Sequence, residues 1–112
     1  MRGGRSTAVP SLLDDRALVR ALKALGDPTR FRMMQEIAAA GELSCGEVAG
    51  LFDVSQPTIS HHLAILIEAG VLLARQDGKH RFTSVNAPLV RKISMLLPAR
   101  LSTPGRRAKR VA

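Results

Sequence analysis

The sequence has 112 residues, of which 46% are apolar, 23% charged and 3% aromatic. That is one domain's length of globular rather than disordered chain, and three Phe with neither Trp nor Tyr leave too little for an aromatic platform on single-stranded nucleic acid. The net charge of +8 is one-sided, because nine Lys and Arg but no acidic residue follow Asp77, and such asymmetry favours a polyanionic partner.

A single cysteine, Cys45, makes no internal disulfide and suits a reducing compartment. No apolar run reaches the roughly 18 residues of a membrane span, and the start of the chain lacks a signal peptide's apolar stretch. A cytoplasmic protein is expected, with no membrane partner. A chain of this length buries a modest core, so pairing of two copies would add to it.

Residues 1–13, rich in Gly, Ser, Arg and Pro, read as a flexible arm. A first helix is expected from Asp14 and Asp15, which suit the positive end of a helix dipole, with Leu18, Ala21, Leu22 and Leu25 on one stripe and Gly26 ending it. Asp27-Pro28 reads as an N-cap followed by Pro in the first turn, opening a second helix to about Ala40 with Phe31, Met34, Ile37 and Ala38 inward. Ser44-Cys45-Gly46-Glu47 is a capping box that starts a short third helix, with Val48, Leu51 and Phe52 inward. Asp53-Val54 forms a turn, and Ser55 caps a fourth helix whose stripe is Ile59, Leu63, Leu66 and Ile67, closed by Gly70.

The period then changes. Val71 to Gln76 and His80 to Asn86 read as strands around Asp77-Gly78, a strong hairpin signal. A last helix fits Leu89 to Leu97, and from Pro98 the chain reads as a basic, disordered tail. The expected division is therefore an arm (1–13), one folded unit (14–98) and a tail (99–112).

Two helices joined by a tight turn and followed by a hairpin are the order of a winged helix-turn-helix. The expected class is mainly α, with about five helices and a two-stranded wing. Ala49 is small where the helices approach, Asp53 stands at a turn position that usually needs a left-handed backbone, and Val54 and Ile59 fill the angle between the helices. On the fourth helix, turning about 100° per residue, His61 points away from the core stripe, beside Pro57 and Thr58, and Gln56 lies at the exposed end. No carboxylate lies between Ser55 and Leu63.

Ser55, Gln56, Thr58, Ser60, His61 and His62 are the candidate DNA-reading residues. Gln bonds adenine bidentately, and hydroxyls reach base edges or phosphate. His62, beside the stripe, is either structural or a phosphate donor. Arg75, Lys79, His80 and Arg81 are the candidate wing contacts to phosphate or the minor groove.

The runs Leu25-Gly26-Asp27-Pro28-Thr29-Arg30, Ser55-Gln56-Pro57-Thr58-Ile59-Ser60-His61-His62-Leu63 and Leu66 through Ala69-Gly70-Val71-Leu72 strongly resemble the ArsR/SmtB family of bacterial repressors, over roughly residues 14–97. The resemblance implies a homodimer built from the first and last helices, an inverted-repeat operator in double-stranded DNA and repression relieved by an inducer. The expected interface residues are Leu18, Leu22, Val90, Ile93 and Leu97. Metal-sensing members resemble Glu-Leu-Cys-Val-Cys-Asp-Leu at the third helix. Here Ser44 and Gly46 stand at the two thiolate positions, with Cys45 between them, and Leu89 to Leu97 contains no Asp, Glu, His or Cys. A soft-metal site needs several convergent ligands, so no metal site and no cofactor is expected.

Cys45 has two readings. A thiol in the first turn of a helix is a candidate redox switch, whereas its position on the side of Val48 and Phe52 suits a small apolar residue. A protein-interaction module retaining the fold is a further alternative. No phosphate loop, ligand cluster or nucleophile-base arrangement points to an enzyme.

Overall fold

The computed structural model describes residues 13–102, and its elements run α1 (Asp15–Leu25), α2 (Pro28–Ala40), β1 (Leu43–Ser44), α3 (Cys45–Ala49), α4 (Gln56–Glu68), β2 (Leu72–Asp77), β3 (His80–Val85) and α5 (Ala87–Leu101). Of the expected arm only Leu13 is described, and it is buried in the core instead of lying free; most of the basic tail lies outside the described residues.

Every helix starts at a side chain that satisfies an otherwise orphaned backbone N–H. Asp14 accepts from the Ala17 amide at 2.8 Å, Asp27 from Arg30 at 3.0 Å and Ser55 from Thr58 at 3.3 Å. At α3 the capping box closes both ways, Glu47 N–H to Ser44 Oγ at 3.1 Å and Ser44 N–H to Glu47 Oε1 at 2.8 Å. Asn86 opens α5 by accepting from Leu89 at 3.4 Å. Each such cap stabilises a helix by about 1 kcal/mol, and together they set the starts of the elements.

The strands form an antiparallel sheet in the order β1-β3-β2. The hairpin pairs Leu72 with Val85 and Asp77 with His80, so Gly78 and Lys79 are its loop. Gly78 has φ 63° while no non-glycine among the described residues has a positive φ. Those signs suit a type II′ turn, in which glycine takes the first central position. The third strand, β1, was not expected from the sequence. It pairs Leu43 with Thr83, and the fully buried Thr83 donates its hydroxyl to the Leu43 carbonyl at 3.0 Å, so a polar group enters the core without an unmet bond.

Ala21, Met33, Ile37, Val48, Ile59, Leu66 and Val71 are wholly or almost wholly buried, joining α1, α2, α3 and α4 to the foot of the sheet. Several expectations fail here. On α2 the inward face is Met33, Met34 and Ile37, while Phe31 is 52% exposed and Ala38 is also exposed. Phe31 and Ala38 instead border an open apolar groove with Leu25, Met34, Val85 and Val90. Leu51 and Val54 are exposed as well. α3 ends at Ala49 and α4 begins at Gln56, so both residues sit in a connection and not on a helix face. That connection is long enough to reverse the chain gradually, and Asp53 needs no left-handed backbone. The last helix runs through Pro98 to Leu101. Pro98 forfeits one bond to the preceding turn, but only a final turn follows it, and Arg100 in that turn is held by Asp15 at 2.6 Å.

Candidate nucleic-acid interface

α4 is pinned from beneath by Ile59, Leu63 and Leu66, none more than 2% exposed. Its opposite side carries Gln56, Pro57, Thr58, Ser60 and His61, all exposed. Ser55 and Thr58 are not equivalent to their neighbours: their hydroxyls bond each other at 2.9 Å while Ser55 caps the helix. Among the described residues the side chains of Gln56, Ser60 and His61 make no hydrogen bond within the protein. They remain able to donate and accept toward a ligand, at a helix end whose dipole favours phosphate.

His62 is set apart. It is half-buried, and its Nδ1 lies 3.2 Å from Nη1 of Arg30. A guanidinium only donates, so Nδ1 accepts and the ring hydrogen sits on Nε2. The same guanidinium donates from Nε to the Ala24 carbonyl at 2.7 Å and from Nη2 to that of Lys23 at 3.4 Å. Beside this cluster the Arg30 amide holds the Asp27 carboxyl below its ordinary range; desolvation opposes the effect and the Arg30 charge adds to it. The resemblance singled out Arg30 as part of a motif, but sequence reasoning gave it no role. A basic residue just past the end of one helix was the available signal.

In the hairpin, side chains alternate between faces. The pairs Arg75 with Phe82 and Asp77 with His80 share one face, and Gln76 with Arg81 the other. His80 and Arg81 therefore project to opposite sides, with Lys79 at the tip. All three are exposed, and among the described residues none has a carboxylate within ion-pair distance. Arg75 is placed differently. It grips Glu42 with two bonds of 2.8 Å, lies 3.8 Å from Asp77 and stacks over Phe82 at 4.6 Å from the ring centroid. The hydrogen-bonded Arg75 guanidinium holds Glu42 below the usual carboxylate range, and Glu42 raises Arg75 in return. Arg75 thus fastens the hairpin to the residue before β1 instead of standing free with the tip.

Cys45 is half-buried and packs against the core at the first residue of α3. Among the described residues no three His, Cys, Asp or Glu side chains gather closely enough to hold a metal ion, and no helix is long and apolar enough to cross a membrane. The expected interface residues divide: Leu18 and Ile93 are buried within the protomer itself, whereas Leu22, Val90 and Leu97 are half-buried. Val19, Met95 and Leu101, at 49%, 73% and 79% exposure, are the large apolar residues of α1 and α5 left to solvent, and the sequence reading missed them.

Residues 25–74 match the model of a helix-turn-helix domain family. The chain is 35% identical over 96 residues to a probable mercury resistance operon repressor of Streptomyces lividans, covering 86% of this chain and 76% of that protein. It is 41% identical over 61 residues to the arsenical resistance operon repressor of Escherichia coli, covering 54% and 52% respectively. Its fold is similar to the homodimeric winged helix-turn-helix DNA-binding domain of a possible ArsR-family regulator from Mycobacterium bovis, with a TM-score of 0.64 at 21% identity over 89% of this chain and 90% of that one. With the capped recognition helix and the basic hairpin in place, this chain belongs to the ArsR/SmtB family of winged helix-turn-helix transcriptional repressors.

Proposed function

We propose that two copies of the chain bind an inverted-repeat operator in double-stranded DNA, each laying α4 in a major groove. The observation that carries this reading is the solvent face of α4, where Gln56, Ser60 and His61 are exposed with no side-chain hydrogen bond among the described residues, and no carboxylate lies from Ser55 to Leu63. Lys79, His80 and Arg81 of the wing grip phosphate or the adjacent minor groove. Half-sites then lie about 10 bp apart or slightly more. The dimer rests on the homodimeric state named for the Mycobacterium bovis domain and on the apolar residues of α1 and α5. Leu22, Val90 and Leu97, with Val19 and Leu101, are better suited to it than Leu18 or Ile93, which the protomer uses itself.

Two relatives are named for mercury and arsenical resistance. This chain has Ser44 and Gly46 where the metal-sensing members carry thiolates, so it works in the cytoplasm as a repressor without those metal sites, on an inducer still to be found. The test is binding to its own promoter DNA and to random DNA across a salt series, with and without Zn²⁺ and oxidant, alongside the molar mass in solution. Tight promoter-selective binding by a dimer, indifferent to both additives, supports the reading. Loss on oxidation alone would make Cys45 a sensor. A folded dimer with no salt-sensitive affinity for DNA would make it a protein-interaction module.

A further inference from the structure

We infer that Arg30 is a positioning residue for the recognition helix: its guanidinium ties the end of α1 to His62 and fixes how far α4 is rotated about its own axis. The inference rests on the DNA-reading role proposed for α4 and adds a residue that does not itself lie on the reading face.

Three bonds from one side chain reach two other helices. Nε and Nη2 take the last carbonyls of α1, at Ala24 and Lys23, and Nη1 donates to His62 in the second turn of α4. A cation suits the first of these tasks, since the C-terminal end of a helix carries partial negative charge. The planar fork suits both together, because its donors leave in fixed, divergent directions. Arg30 is itself placed by α2, its amide bound to the Asp27 cap at 3.0 Å.

The buried residues of α4 cannot do this work alone. Ile59, Leu63 and Leu66 hold the helix against the core from one side, through apolar contacts that are individually non-directional. A hydrogen bond at the flank of the helix is directional. At a side-chain radius of about 6 Å, a roll of about 20° moves a base-reading tip by about 2 Å, enough to break a hydrogen bond to a base edge. Arg30 therefore governs selectivity for sequence more than affinity for DNA in general. Through Lys23 and Ala24 it also makes the end of α1 part of the support for α4.

The experiment uses the full chain with Arg30→Ala, Arg30→Lys, His62→Phe, His62→Asn and the double variant Arg30→Ala/His62→Phe. Two quantities are read well below each variant's melting temperature: the ratio of affinities for its own promoter and random DNA, and hydrogen exchange of the α4 amides. Arg30→Ala and His62→Phe should each lower the ratio about tenfold, or ~1.4 kcal/mol, and speed exchange in α4, with the double variant no worse than either single one. His62→Asn, which keeps an acceptor near the Nδ1 position, should restore most of the ratio, whereas Arg30→Lys, which cannot reach three acceptors in the fork geometry, should not. Additive losses, or an Arg30→Ala protein with unchanged selectivity and unchanged α4 exchange, would overturn the inference. If the native chain shows no selectivity for DNA but the two sites remain coupled in exchange, the DNA reading falls and the strut stands.

Discussion

α4 and the hairpin, the two surfaces proposed to meet DNA, are held in opposite ways. α4 is gripped along its length, by three core residues below, a hydroxyl cap at its start and the Arg30 bond at its flank. Among the described residues the hairpin is gripped toward its foot, by Leu72, Thr83, the pairing with β1 and the Glu42–Arg75 pair, and beyond Leu72 the residues of β2 are all exposed. The difference separates two jobs. Base edges demand fixed geometry, because a misaligned bidentate contact is lost altogether, while phosphates form a continuous track that tolerates movement of the cation. On the proposed reading, the firmer seat belongs to the helix that reads sequence and the lighter one to the hairpin that neutralises charge.

The comparison is tested most severely at Leu63. Leu63→Ala removes a side chain only 2% exposed and should cost about 2–5 kcal/mol of stability, seen in a denaturant titration; a cost below about 1 kcal/mol would mean that α4 is not stiffly seated. Next comes Gln56→Ala, expected to weaken binding to the operator by about 1–3 kcal/mol with little change on random DNA. Equal losses on both would place Gln56 on the backbone and not on a base.

Arg81→Ala should act in the contrary manner. It should weaken all DNA alike and reduce the slope of log affinity against log salt by about 0.9, and an unchanged slope would remove Arg81 from the interface. The smallest effect is expected at Glu42. Glu42→Gln releases Arg75, so exchange at the foot of the hairpin should quicken while non-specific affinity rises slightly. Acid should mimic it. The carboxyls of Glu42 and Asp27 lie below their ordinary values, so their contribution to stability is full above about pH 4–5 and is lost as pH falls through the lowered native values. In Glu42→Gln the acid-dependent loss should shrink in a pH series of melting curves.

What the sequence disclosed follows from which forces are local. Helix starts were legible because Asp14, Asp27, Ser44 and Ser55 cap within three residues of themselves, and the hairpin because Gly78 governs its own turn. Helix faces were less legible. α2 is apolar on several sides, and periodicity does not separate Met33, which enters the protomer's core, from Phe31, which borders an open groove. The two residues of β1 carry no period at all. Arg75 looked like a free wing cation because its partner, Glu42, lies 33 positions away; the Arg30–His62 bond, 32 positions apart, was hidden for the same reason. Pro98 read as a stop because the tolerance of a final turn for a missing bond depends on the Asp15–Arg100 contact.

The pairing of Leu43 with Thr83, 40 positions apart, has a consequence for how the molecule assembles. Between its ends lie α3, α4, β2 and the hairpin loop, so the two residues of β1 act as a clasp on a closed ring. Closing a ring of about that size carries most of its entropic penalty once, rising only as the logarithm of length, and contacts between distant positions form slowly. The helix-turn-helix is built from near neighbours and is expected to take shape first, with the clasp snapping shut afterwards. A clasp two residues long is also the first thing to reopen. When it does, α4 stays seated on the core through Ile59, Leu63 and Leu66, and among the folded residues the first protease cuts should fall beside Leu43.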